Sequence, residues 1–170
     1  MNIADDQGRT GELPLIEQVR WEPLFVMDLV VGYDRAQQLG KTPSGGRGVF
    51  PVDGGTFEGA RLRGKVNPGG VDWVTWREDG VMLIDVRLTL TTDDGATIGM
   101  TYQGIARART EALMARFLKR ETLAYDEMYF HTVPRFETGD ARYAWLNGII
   151  AVTNGVRREG GGRYHVFEIV

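Results

Sequence analysis

The sequence predicts an all-β fold, a closed antiparallel β-barrel of roughly nine to ten strands with one α-helix at about residues 110–120. Three observations predict it. Short runs rich in Val, Ile, Thr and aromatic residues recur along the chain, separated by Gly, Pro, Asn and Asp. Two Asp-Gly pairs, Asp79-Gly80 and Asp94-Gly95, join consecutive runs in the manner of tight hairpins. Only one segment has clear helical spacing, so crossover connections are scarce, and closing the sheet on itself removes its edges.

In order along the chain, residues 1–14 read as a flexible tail ending at Pro14, and 15–170 as a single domain. "LFVMDLVV" (Leu24 to Val31) is the first strand, "YDRAQQLG" suits a single helical turn, and "KTPSGGRG" reads as a loop. "VFPV", "TFEGARLRGKV" and "VDWVTWR" follow as strands, divided at Asp53-Gly54-Gly55 and at Asn67-Pro68-Gly69-Gly70. The two Asp-Gly pairs then lead through "VMLIDVRLTL" and "TIGMTYQGI", with type I′ turns expected at both. "TEALMARFLKR" begins at Thr110, a good capping residue, with Glu111 in the first turn and Lys119-Arg120 at the end, which matches the helix dipole. Strands resume in "EMYFHTVPRF", "RYAWLNGIIAVT" and "RYHVFEIV", with a turn at Asn154-Gly155.

The 170 residues are 42% hydrophobic and 25% charged, ordinary globular usage with enough chain for a self-sufficient core. A net charge of -3, without a long Lys/Arg run, argues against nucleic acid or an anionic membrane surface as partner. The chain has no cysteine, which excludes disulfides and thiolate metal sites. The acidic, polar start lacks the layout of a signal peptide, and no apolar run has the length of a membrane span. A cytoplasmic protein is expected.

Several familiar chemistries drop out. "GARLRGKV" nearly fits a phosphate-binding loop, but Val66 stands where Ser or Thr should hold magnesium, and Asn67-Pro68-Gly69-Gly70 forbids the helix that should follow. No glycine triplet has dinucleotide-binding spacing. His131 and His165 are the only imidazoles, and no carboxylates group around them, so no metal site is expected. Ser44 is the only serine, in a loop, so a serine triad is out. Acid–base work by Asp, Glu, His, Tyr and Arg remains, and it needs no cofactor.

Strand alternation sorts these residues onto faces. In "LIDVRLTL", Asp85 and Arg87 lie opposite Ile84, Val86 and Leu88. In "VDWVTW", Trp73 lies opposite Asp72, Val74 and Trp76. In "YFHTVPRF", Tyr129 and His131 share a face, and "YAWLN" as a strand groups Tyr143, Trp145 and Asn147. A face of aromatic and hydrogen-bonding side chains suits the wall of a small-molecule cavity. The alternative for such a face is a contact between copies in a homodimer or higher homo-oligomer.

"GGTFEGARLRGKVNPGGVDW", "LIDVRLTLTTDDGATI", "YFHTVPRFETGDARYAWLN" and "YHVFEIV" together resemble the bacterial and fungal family catalogued as domain of unknown function 3237. The resemblance runs from about residue 24 to the C-terminus and implies a small single-domain β-barrel with one helix, without one agreed activity. The family's recurring residues fall on Gly54, Gly55, Asp72, Trp73, Asp85, Arg87, Asp94, Tyr129, Tyr143, Trp145 and Asn147, among others. One departure is His131, where the family typically resembles Tyr-Phe-Arg-Thr; an imidazole there brings a group that titrates near neutrality. The resemblance also moves Asp85 and Arg87 from a solvated pair to residues of the cavity.

The expectation is therefore a cofactor-independent enzyme, an isomerase, hydratase/dehydratase or related lyase, working on a small, partly apolar carbonyl compound inside the barrel. Asp85 or His131 would be the base, and Arg87 or Asn147 would face the developing oxyanion. Asp72, Trp73, Tyr102, Tyr129 and Trp145 would hold the substrate, with Trp73 and Trp145 inside the barrel. The alternative is a carrier or sensor barrel that binds a similar ligand and transforms nothing.

Overall fold

Strand-forming sequence accounts for most of the residues described by the computed structural model, 18–170; the expected tail at 1–14 lies outside that range. Ten strands are formed there: β1 (Trp21–Val31), β2 (Gln37–Thr42), β3 (Gly45–Glu58), β4 (Arg63–Val66), β5 (Gly70–Trp76), β6 (Met82–Thr92), β7 (Thr97–Ala108), β8 (Met128–Glu137), β9 (Ala151–Arg158) and β10 (Gly161–Ile169). One α-helix, α1 (Glu111–Leu118), separates β7 from β8. Its N-cap is Thr110, whose hydroxyl accepts from the Leu113 backbone N–H, as the sequence predicts.

All pairings are antiparallel. Eight strands close in the order β1-β10-β9-β8-β7-β6-β5-β3, and β3 returns to β1. β4 lies between β3 and β6, and β2 pairs with β3 outside the ring.

Strand β3 changes partners halfway along. Gly46–Val52 pairs with β5 and Gly55–Glu58 with β4, while Val52 to Glu58 meets β1 on the other edge. The expected divider Asp53-Gly54-Gly55 is thus a bend inside one strand. At Gly55 φ is 145°, and a Cβ would strike the Asp28 carbonyl, so only glycine lets β1 lie this close.

Other boundaries also differ from expectation. "KTPSGGRG" is the β2–β3 hairpin and not an open loop. The Asp-Gly pairs do form hairpins, but with three-residue loops in place of type I′ turns. The Arg77 N–H donates to the Val81 carbonyl (2.9 Å) and the Thr92 N–H to the Ala96 carbonyl (2.9 Å), and within each Asp-Gly pair only the glycine has positive φ. "ARYAWLNG" is 3₁₀ helix, Ala141–Gly148, and not strand. Its ends are fastened by side chains, with the Arg142 N–H donating to Asp140 (3.0 Å) and the Thr138 N–H to Asn147 Oδ1 (2.8 Å). Asn154-Gly155 lies within β9. A side chain at Gly155 would strike the Phe130 ring, so the missing Cβ makes room for an inward aromatic.

The barrel interior is packed at one end and hollow at the other. Phe25 meets Phe57 (ring centroids 5.5 Å apart) and Phe136 (6.0 Å), around Met27, Leu90, Ile98 and Met100, all essentially inaccessible. The 3₁₀ segment carries buried Leu146 to this core, and Thr92, Arg142 and Tyr143 all hydrogen-bond Asp94 at the β6–β7 turn. Tyr102 and Tyr164, 5.4 Å apart, and Phe130, 5.3 Å from Tyr164, stand between this core and the hollow half.

Candidate functional site

The hollow half is a cavity of about 380 Å³, within the range of small-molecule sites. Strand alternation builds it. Asp72, Val74 and Trp76 point inward from β5, and Met82 and Ile84 from β6. Phe50, Phe130 and Tyr164 complete the walls, and Phe117 and Leu118 of α1 reach its rim.

Three polar atoms of these lining residues are buried without a hydrogen-bond partner among the described residues: Asp72 Oδ1, Trp76 Nε1 and Arg157 Nε. Leaving such an atom unpaired costs about 1–3 kcal/mol, and folded proteins seldom tolerate it without a use. Burial in this apolar lining pushes the Asp72 carboxyl up to about 7. The Asp85 backbone N–H near the carboxyl works in the opposite direction, and the like charge of Asp85 adds a smaller upward push. The N–H is free to do so because the β5–β6 ladder is interrupted: Asp72 pairs with Val86 and Thr75 with Leu83, with no bridge between them. Burial likewise raises the Tyr102 and Tyr164 phenols, with the Asp72 charge contributing to both, so each hydroxyl keeps its proton.

The rim is cationic. Arg157 donates from Nη1 to the Tyr33 hydroxyl, its guanidinium stacked 4.8 Å from the Tyr33 ring and 5.1 Å from Phe117. Arg120 covers Tyr33 at 4.4 Å. Arg120 ends α1 in a Schellman arrangement: its N–H donates to the Phe117 carbonyl (2.9 Å) and that of Glu121 to the Arg116 carbonyl (3.2 Å). The residue in that position normally is glycine; Arg120 adopts φ 64° at a cost of about 1 kcal/mol.

Of the site residues read from the sequence, Asp72 lines the cavity and Tyr102 is buried beside it. The others are elsewhere. Trp73, Asp85 and Arg87 border a depression on the outer face of the sheet, with Thr101, Ile105 and Val133. Trp73 is 44% exposed, which corrects its expected place inside the barrel. Tyr129 and His131 also face outward, their rings 4.5 Å apart, and His131 Nδ1 donates to the Thr153 carbonyl (3.0 Å). The faces of β8 divide as the alternation predicts, but Phe130, Thr132, Pro134 and Phe136 point inward and the aromatic–polar face outward. Trp145 is at the packed end beneath Arg61 (4.1 Å), which also pairs with Glu168. Asn147 brackets the Thr138 backbone, accepting from its N–H and donating to its carbonyl (2.9 Å). Asp85, Arg87, His131 and Asn147 therefore do not converge on the cavity.

Tyr33, Trp76, Arg120, Arg157 and Tyr164 are not among the site residues expected from the sequence. A usable signal was present at β5, where Asp72 is a lone carboxylate on a strand face otherwise made of Val74 and Trp76. Nothing local marks the others, because β10, β9 and the α1 terminus meet only through barrel closure. Among the described residues no cluster of three or more His, Cys, Asp or Glu could hold a metal, and no helix is long and apolar enough to cross a membrane.

Comparison with known proteins finds a match to the family model described as "Protein of unknown function (DUF3237)" over residues 19–169. A UPF0311 protein of Bradyrhizobium diazoefficiens is 38% identical over 119 residues, covering 69% of this chain and 76% of the relative. A crystal structure of a conserved protein of unknown function from Rhodopseudomonas palustris superposes with a TM-score of 0.84 at 26% identity, covering 91% of this chain and 100% of that one. A β-barrel-like protein from Acinetobacter baumannii gives 0.78 at 28% identity, with 92% and 99% covered. An enzyme from Penicillium herquei has the same fold, with a TM-score of 0.68 at 20% identity over 94% of this chain and 99% of that one.

Proposed function

Starting from the premise that the chain belongs to the DUF3237 family, we propose that it is a cofactor-independent enzyme that moves a proton on a small, partly apolar carbonyl compound held in the barrel cavity. The observation that carries this reading is Asp72, a carboxyl near pKa 7 in an apolar cavity with Oδ1 unpaired. A base poised near the working pH can both accept and return a proton within one turnover. That the same fold serves an enzyme from Penicillium herquei is consistent with such a use.

The residues divide the work as follows. The Asp72 carboxylate removes a proton from the carbon beside the carbonyl, and the C–H electron pair becomes the C=C of an enolate. The charge that develops on oxygen faces Trp76 Nε1–H and the Tyr164 hydroxyl, two neutral donors of the wall. Returning the proton to a different carbon completes an isomerisation. Collapse of the enolate to expel a β-hydroxyl, which takes the proton back from Asp72 and leaves as water, completes a dehydration. Phe50, Val74 and Phe130 exclude water from the enolate.

Proton exchange tests this directly. With 2-tetralone in D₂O, followed by NMR, the protein should accelerate α-proton exchange at least about a hundredfold, in a saturable way, and Asp72→Asn should return the rate to background. Exchange that persists in the Asn variant would sink Asp72 as the base. Saturable binding without exchange would leave a carrier barrel.

A further inference from the structure

Among the described residues neither Arg120 nor Arg157, both of which line the cavity, forms an ion pair. Arg157 Nε is buried and unpaired, and its other contacts are the Tyr33 hydroxyl and two aromatic rings, none of which neutralises it. Asp72 does not serve either: both residues line the cavity, yet among the described residues Asp72 Oδ1 and Arg157 Nε are each without a hydrogen-bond partner. Tyr33 and Tyr164 line the same cavity as both, and the Tyr33 hydroxyl accepts from Arg157. Arg120 supplies an independent observation. It occupies the left-handed position at the end of α1 that glycine would fill without strain, and it sets its guanidinium against the same Tyr33 ring.

We infer that the physiological ligand carries a permanent anionic group, a carboxylate or an acidic enol, which docks on Arg157 and Arg120 at the cavity mouth while its carbonyl end reaches Asp72. The inference rests on the reading of the cavity as the ligand site. A carboxylate oxygen accepting from Arg157 Nε would satisfy the unpaired donor, and Arg120 would face the second oxygen. The charged group would also orient the compound, apolar body inward and anion at the rim, so that one of its carbons rather than another meets the base.

Calorimetric binding of 2-naphthoate and of its neutral isostere 2-naphthamide tests this. The parent protein should bind the carboxylate at least tenfold tighter than the amide. Arg157→Gln should reduce that preference to threefold or less with amide affinity kept. Arg120→Gly should lower the preference too, yet raise the melting temperature, an outcome general damage to the fold would not give. Equal affinity for the two probes, or a preference that survives both Arg variants, overturns the inference. Filling the cavity with Val74→Trp, or with Ile84→Phe if the first does not fold, should abolish binding of both probes. Undiminished binding there would place the probes elsewhere and overturn the inference together with the cavity. Exchange of 2-tetralone separates the two readings: exchange without anion preference removes only the anion site, and preference without exchange removes only the proton transfer.

Discussion

Asp72 and Asp85 face opposite sides of the barrel wall, one into the cavity and one onto the outer surface, yet the outer carboxylate pushes the inner carboxyl upward. They belong to neighbouring strands, with Asp72 opposite Val86. The Asp85 backbone N–H meanwhile favours the ionised form of Asp72, so one residue acts on the inner group with both signs. Its side-chain charge can be removed without touching that N–H.

The first prediction follows from this coupling. Exchange of 2-tetralone should rise with pH as Asp72 loses its proton, with a midpoint near the value of about 7. Asp85→Asn removes the like charge and should carry the midpoint to lower pH, with the plateau rate changed by less than about threefold. A midpoint that stays in place, measured by the pH–rate profile, would refute the coupling.

A second prediction concerns stability. The folded protein holds the Asp72 proton up to about 7, against 3.8 for an ordinary aspartate, so the native state binds more protons than the unfolded one in that interval. Stability contributed by this residue therefore falls as pH rises from about 4 to 7, by at most about 4 kcal/mol. Asp72→Asn should raise the melting temperature at pH 8 and leave it nearly unchanged at pH 4. Equal shifts at the two pH values would mean that burial of the carboxyl is not the cause.

His131 yields the third. Outside the cavity, its imidazole only donates to the Thr153 carbonyl and packs on Tyr129. Replacing it with Arg should cost about 1 kcal/mol of stability in denaturant melts and keep proton exchange within about twofold of the parent. A hundredfold loss of exchange would restore His131 as the base.

The fourth lies at the packed end. Arg142 holds the Asp140 carboxyl at about 2, chiefly by hydrogen bonds from its guanidinium and backbone, below the ordinary 3.8. A carboxyl held down in this way contributes stability that is complete above about pH 4 and is lost as the pH falls towards 2. Arg142→Gln should flatten the melting temperature against pH over that interval. It should also loosen the hold on Asp94, which accepts from Arg142 and Tyr143.

Much of the fold was legible because strand patterning is local. The hairpin at Asp94-Gly95, the helix capped at Thr110, and the division of β8 into two faces all follow from residues a few positions apart. Which face of β8 points inward is not local. Both faces carry rings, and the choice fell to Phe130 and Phe136 because they meet Tyr164 and Phe25 across the closed barrel. Asp85 and Arg87 followed the same rule, outward beside inward Ile84 and Val86. Asn147 and Trp145 were misplaced for another reason. A 3₁₀ segment fastened by its own side chains imitates strand alternation over a few residues. Arg120 and Arg157 have no motif because their partner, Tyr33, lies far away in the chain.

The hollow and packed halves meet at the tyrosine layer, and this makes the molecule resemble a cup with a thick base. The aromatic core ties β1, β3 and β8 together from below, and the Asp94 corner fastens the β6–β7 turn to the 3₁₀ segment. The residues that meet a guest are contributed by β3, β5, β6, β8, β9, β10 and α1, all on the hollow side, where an exchange of side chain alters the size and charge of the hollow. A scaffold divided this way can be turned to new compounds in small steps, each survivable, because selection on what enters the cup is nearly independent of selection on whether it stands.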